Sequence, residues 1–285
     1  MSLNKRLMSS APPPFVASEN FNVVTYSGNG QAGRAVSVGF KPDIVWIKAR
    51  NNGNSWVAQD SSRGVNSILS INGSGAELDS SWRGNYGQIA SFTSTGFTVN
   101  AGSAASGNFN TSNVNYVAYC WKSNGGTTSS NTDGTITSTV QANQNSGFSI
   151  VKYTGTGSAA SVGHGLSSTP DFVIIKRLDG TTNWQIWYTG AGTSPGSGIN
   201  RLYLNTNDSN DSSTTNVYYP DSTKINLNSG DHFFNTSGGN YIAYCWHTVS
   251  GYSKISSYVG NGSANGPIVE TGFEPAFVML KRTDG

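Results

Sequence analysis

Phe109 to Trp121 reads FNTSNVNYVAYCW and Phe234 to Trp246 reads FNTSGGNYIAYCW, two stretches 125 residues apart and identical at ten of thirteen positions. A copy at a fixed offset marks a tandem array, so fold and function have to be read per repeat. The polar half of each copy, Asn110-Thr111-Ser112 and Asn235-Thr236-Ser237, is turn chemistry, because these side chains hydrogen-bond nearby backbone. The apolar half predicts a strand. Tyr116, Ala118 and Cys120 point to one side and Val117, Tyr119 and Trp121 to the other. Both faces are apolar, which predicts a central strand covered on both sides.

Working outward, the units open alike: FNVVTYSGNG from Phe21, FSIVKYTGTG from Phe148, and YSKISSYVGNG from Tyr252. Tyr26, Tyr153 and Tyr258 anchor these openings, and each precedes Gly-x-Gly. A phosphate-binding reading needs a helix to follow, and no convincing amphipathic helix is legible anywhere in the chain. The glycines are therefore expected to supply hairpin backbone with positive φ. A second shared element begins at a proline: KPDIVWIKAR from Lys41, TPDFVIIKRL from Thr169 and EPAFVMLKRT from Glu274. Proline at the start of a strand removes no ladder hydrogen bond. The lysines that close these runs, Lys48, Lys176 and Lys281, are expected to cover strand ends rather than bind a ligand.

The resulting division is an extended proline-rich arm (1–20), a first unit (21–124), a linker (125–131), a second unit (132–250) and the opening of a third (251–285). The third unit, with strands and no partner for them, reads as a fragment, so truncation after Gly251 is expected to leave stability unchanged. Charged residues make up 11% of the chain, against roughly 25% in ordinary soluble domains. A net charge of +2 gives no basic stripe, which argues against nucleic acid as partner. No apolar run approaches a membrane span and no signal-peptide core is legible at the N-terminus, so assembly in a cytoplasm is expected. Cys120 and Cys245 are expected to be buried, reduced and unbridged, because equivalent positions in tandem units lie far apart.

The chemistry-bearing residues name no reaction. Only Asp43 and Asp171 recur among the carboxylates, at a strand entry that suggests a turn role, and Asp60 and Arg63 could pair with each other. Asp208, Asn210 and Asp211 offer oxygen ligands for a cation but lack the glycine and distal glutamate of a calcium loop. No metal, cofactor or catalytic set is expected. Trp46, Trp121, Trp184 and Trp246 lie in repeated strands and read as core. Trp82, Tyr86, Tyr218 and Tyr219 lie where the two units diverge, in Asp79–Gly87 and Asn205–Pro220, and are the candidate ligand-binding aromatics.

The succession Tyr-x-Gly-x-Gly, Pro-[Asp/Ala] with an apolar strand and Lys, and Tyr-[Val/Ile]-Ala-Tyr-Cys-Trp resembles a repeated β-sandwich domain of virion structural and tail-fibre-like proteins of tailed phages, many of them marine. The resemblance spans residues 21–285. It implies an all-β chain of tandem sandwiches of jelly-roll or concanavalin A-like lectin type, and a place in a virion beside other virion proteins. Attachment to a host-surface glycan is the implied role, and self-association into a homo-oligomer is compatible with it. A carbohydrate-cleaving tail enzyme and a pure structural spacer are the alternatives, although the resemblance carries over no catalytic residue.

Overall fold

The computed structural model describes residues 15–191, 199–208, 211–213 and 217–284. The protein is all-β, with its sheets in a sandwich-like arrangement. The first half contains β1 (Phe21–Ser27), β2 (Arg34–Ser37), β3 (Ile44–Ala49), β4 (Val57–Asp60), β5 (Ile68–Ser70), β6 (Gln88–Thr93), β7 (Gly96–Asn100) and β8 (Asn115–Trp121). The second half contains β9 (Ser129–Asn131), β10 (Ser138–Asn143), β11 (Phe148–Thr154), β12 (Ala160–Gly163), β13 (Phe172–Arg177) and β14 (Gln185–Tyr188). It continues with β15 (Ile199–Tyr203), β16 (Asp211–Ser213), β17 (Tyr218–Pro220), β18 (Lys224–Leu227) and β19 (Asn240–Trp246).

The repeated Tyr-Cys-Trp strand is central in each half. The five-stranded sheet runs β1-β8-β3-β4-β5, and the eight-stranded sheet runs β16-β15-β14-β13-β19-β11-β10-β9. Registers coincide: Trp121 lies opposite Phe21 and Ile44, and Trp246 opposite Phe148 and Phe172. Each large sheet is faced by a three-stranded one, β2-β7-β6 or β12-β18-β17.

Side-chain alternation on the central strands then builds three cores. Tyr116, Ala118 and Cys120 join Phe97, Val99 and Ile89 inside the first half. Tyr241, Ala243 and Cys245 join Ile225, Leu227 and Val162 inside the second. The opposite faces meet each other: Ile44, Trp46, Leu69 and Trp121 form one core with Ile150, Ile174, Trp184 and Tyr244. The repeated tryptophans therefore belong to the contact between the halves, where Trp121 meets Trp246 edge-on at 6.3 Å. This third core buries the second face of β19 at Ile242 and Tyr244, whereas on β8 it buries Trp121 and leaves Val117 and Tyr119 half-buried. Both cysteines are free and buried.

The shared motifs lock onto one another. Buried Asn110 accepts from Asn29 N at 3.1 Å and donates to Gln31 O at 2.6 Å. Asn235 repeats this with Thr156 N at 2.9 Å and Ser158 O at 2.5 Å. These asparagines reach across to the Gly-x-Gly loop as well as shaping their own turn. Tyr26 and Tyr153 donate to Phe109 O and Phe234 O at 2.8 and 2.7 Å. Of the paired glycines only the second, Gly30 or Gly157, has positive φ. The first is needed for close approach, since a Cβ at Gly28 would lie 2.0 Å from Thr111 O and one at Gly155 2.3 Å from Thr236 O.

One element departs from expectation. The divergent stretch of the first half forms a helix, α1 (Ser80–Tyr86), capped by Asp79, whose side chain accepts from Trp82 N at 2.8 Å, and ended by Gly87 at φ 86°. Seven residues are too few to show helical periodicity; the caps were the available signal. Of the expected arm, residues 1–14 lie outside the described residues; Ala17–Glu19 form a 3-10 turn.

Candidate functional site

The contact between the halves carries the densest polar chemistry. The end of β4 and the loop after it bring Asp60 and Arg63 against β19, because the two outward faces pack so that Tyr244 arrives over them. Arg63 Nε lies 2.6 Å from Asp60 Oδ2, and its Nη1 lies 2.7 Å from Glu77 Oε1. The Tyr244 hydroxyl donates to Asp60 Oδ2 at 2.7 Å from the other half. Burial alone would lower the Arg63 pKa, but Asp60, Tyr244 and Glu77 outweigh it and hold the guanidinium charged. Burial, with Asp60 adding to it, keeps the Tyr244 phenol protonated well above the usual range. Around this pair Gln141 donates to Ser61 and Ser62 hydroxyls at 3.0 and 2.6 Å, and Lys152 donates to Ser62 O at 3.1 Å. Asp60 has no carboxylate counterpart in the second half, where Tyr188 stands, and that asymmetry was the sequence signal for a contact between halves.

Beside this cluster an open crevice of about 450 Å³ is lined by Arg63, Glu77, Lys152, Thr154, Asp179 and Asn240 among others. Burial raises the Asp179 pKa, but Arg177 at 2.7 Å and the Asn240 N–H outweigh it and hold the carboxylate ionised. The crevice is thus lined by charged and polar side chains already bonded to protein groups, Arg63 to Glu77, Lys152 to Ser62 O and Asp179 to Asn240 N.

The two carboxylates that recur between the halves have local roles. Asp43 accepts from Ser123 N at 2.6 Å and Gly125 N at 2.8 Å; Asp171 accepts from Thr248 N at 2.7 Å. Both therefore fasten the chain just past the Tyr-Cys-Trp strand. Lys48 donates to Asn54 O, and Lys176 to Arg177 O at 2.8 Å, so both cover backbone carbonyls.

The candidate aromatics separate. Trp82 and Tyr86, four apart on α1, share one face with rings 4.9 Å apart; both are half-buried, and Trp82 packs edge-on to Phe109. Tyr218 is a core residue whose hydroxyl lies 3.1 Å from Val173 O and 3.0 Å from Gln185 O, so it has neither face nor hydroxyl for a ligand. Its neighbour Tyr219 is half-buried and packs against the rim of the same core. The two pairs sit in different halves and make no ring contact with each other. Asp208 is exposed, while Asn210 and the side chain of Asp211 lie outside the described residues. Among the described residues no His, Cys, Asp and Glu side chains gather as a metal group.

Residues 16–285 match a family model described as a domain of unknown function, DUF7483. The chain belongs to this family. The DUF7483 match runs unbroken through both halves and the segment that follows them. No curated protein and no solved structure matches the chain. Among the described residues no helix is long and apolar enough to cross a membrane.

Proposed function

We propose that this DUF7483 chain is a non-enzymatic structural and attachment protein of a tailed-phage particle, tail-fibre-like and placed among other virion proteins. In this reading it is a tandem of jelly-roll, lectin-like sandwich units on an N-terminal arm. The observation that carries the proposal is the use of the repeated residues. Tyr26, Asn110, Tyr116 and Trp121, with their counterparts Tyr153, Asn235, Tyr241 and Trp246, serve packing and turn locking, and the buried charges join the two halves. What repeats is scaffold, and of the stretches that differ, α1 lies at the surface with its aromatic pair half-exposed. Binding is assigned to the α1 edge, where the half-exposed Trp82–Tyr86 pair offers aromatic faces on which a sugar ring stacks.

A glycan array probed with the full chain and with Trp82→Ala tests this reading. A defined glycan class is expected to bind the native chain and to lose at least tenfold in affinity on substitution. Absence of glycan binding, or binding indifferent to Trp82, removes the attachment role. Antibody labelling of purified particles tests the virion assignment separately.

A further inference from the structure

In both halves a strand of Asn-Tyr-x-Ala-Tyr-Cys-Trp pattern lies between two flanking strands: β8 between β1 and β3, β19 between β11 and β13. Residues 253–259 and 277–282 repeat the sequences of the flanking pair, with Tyr258 matching Tyr26 and Tyr153, and Phe277 matching Ile44 and Phe172. Apart from a bridge between Ser253 and Val249, they take part in no described ladder. Val278 and Leu280 correspond to Val45 and Ile47, which are 0% and 1% exposed in the first sandwich core, yet they are 63% and 69% exposed.

The position of this segment follows a rule. Lys176 of the second half donates to Ser74 O, in the loop after β5 of the first half, at 3.3 Å. Lys281, its counterpart, donates to Thr206 O in the equivalent loop of the second half. A two-fold relation between the halves would instead send Lys48 to the Thr206 loop, and Lys48 binds Asn54 O in its own half. The contacts are therefore head-to-tail, an arrangement that closes into a ring when the rotation allows. It does close: Phe277 packs on Trp121 at 5.7 Å, Tyr119 at 5.1 Å and Phe21 at 6.0 Å, all in the first half. In the first-to-second contact, Tyr244 is fully buried under Asp60. Its counterpart Tyr119 is covered by Phe277 and stays half-buried.

We infer that residues 253–284 hold the third place in a closed ring of three units, and that the gap between 253–259 and 277–282 is a docking site for a strand of Asn-Tyr-[Val/Ile]-Ala-Tyr-Cys-Trp pattern from a further unit of the same kind. The incoming strand would run antiparallel to both flanks, place its Tyr, Ala and Cys on the side of Val278 and Leu280, and bring its tryptophan to Phe277, beside Trp121 and Trp246. The inference rests on the tandem-unit reading but not on glycan binding, and its test reads backbone protection alone.

The test is the full chain extended by a flexible Gly/Ser linker and a second copy of the sequence of Ser229–His247, followed by hydrogen exchange. Amides of 254–259 and 277–282 are expected to slow at least tenfold relative to the unextended chain. The same extension with its Tyr, Ala and Cys positions changed to Asp should give no slowing, and Phe277→Asp should abolish it. A synthetic peptide of Phe234–His247 added to the unextended chain gives the same readout without a linker. Unchanged exchange with both the extension and the peptide, or equal slowing with the Asp-substituted strand, overturns the proposal. So does concentration-dependent slowing in the unextended chain as it dimerises, which would assign the gap to a second copy of the segment itself.

Discussion

Asp60 and Arg63 are buried almost completely, and that makes their contribution asymmetric. Removing one partner leaves a charge in a site with no water to receive it. Arg63→Met is expected to destabilise by about 3–5 kcal/mol, whereas Tyr244→Phe, which leaves Asp60 its arginine, should cost about 1–2 kcal/mol. Urea midpoints of the two variants check the order, and equal losses would show that the buried charge pair contributes no more than the Tyr244 hydroxyl. Cys245 gives a pH signature at the same scale. Burial pushes its thiol up to about 12, so between its ordinary value near 9 and that point the folded chain keeps a proton that the unfolded chain has lost. Stability must then fall as pH rises through that window. Cys245→Ala should reduce the fall by about 1.4 kcal/mol per pH unit, measured as the difference in urea stability at pH 9 and pH 11.

At the scale of elements, the central strands depend on a turn that has no room for a side chain. Gly28 and Gly155 lie under the Thr111 and Thr236 carbonyls, and a Cβ on either would press directly on backbone. Gly155→Ala is expected to cost about 1–3 kcal/mol as a local overpacking, and Gly157→Ala to cost through its positive φ instead. Chemical denaturation of both variants, with the Tyr153 environment followed by near-ultraviolet circular dichroism, separates the causes. Displacement of the Asn235 turn should disturb the Tyr153–Tyr241 stack, now 5.2 Å apart, only in the first. Helix α1 shows the converse, an element whose ends are specified more strongly than its middle. Its caps, Asp79 and Gly87, are eight positions apart, and the face between them carries the Trp82–Tyr86 pair.

For the whole molecule, the third core makes the halves interdependent. Ile44, Trp46, Leu69 and Trp121 would all face water if residues 15–125 were produced alone. That portion is expected to self-associate in size-exclusion chromatography, while the full chain unfolds in one cooperative transition. Two resolved transitions would mean that the contact between the halves contributes little. The segment after Gly251 is also coupled to the rest, through Phe277 on the first half and Lys281 on the second. The neutral truncation expected from sequence is therefore revised. Ending the chain at Gly251 should lower the melting temperature by a few degrees, on the order of 1 kcal/mol of half-buried aromatic contact, measurable by calorimetry.

Although the strands it suggested for 251–285 are absent among the described residues, the sequence by itself determined the repeated strands of the two halves, the apolar character of both faces of the Tyr-Cys-Trp strand, the free buried cysteines and the turn role of the repeated aspartates. Each of these is set by alternation or by local turn chemistry within about ten residues. It also suggested that Asp60 and Arg63 pair, without showing what else they meet. Only the tertiary structure decided that the second face of β19 is buried against the first half while that of β8 shares Trp121 with it and turns Tyr119 to Phe277, that Tyr244 lies 2.7 Å from Asp60 across 184 positions, and that Tyr218 is in the core while Tyr219 is half-buried at its rim. Those outcomes depend on how two already folded sheets rotate against each other. An apolar face records that it must be buried and carries no record of the partner that buries it.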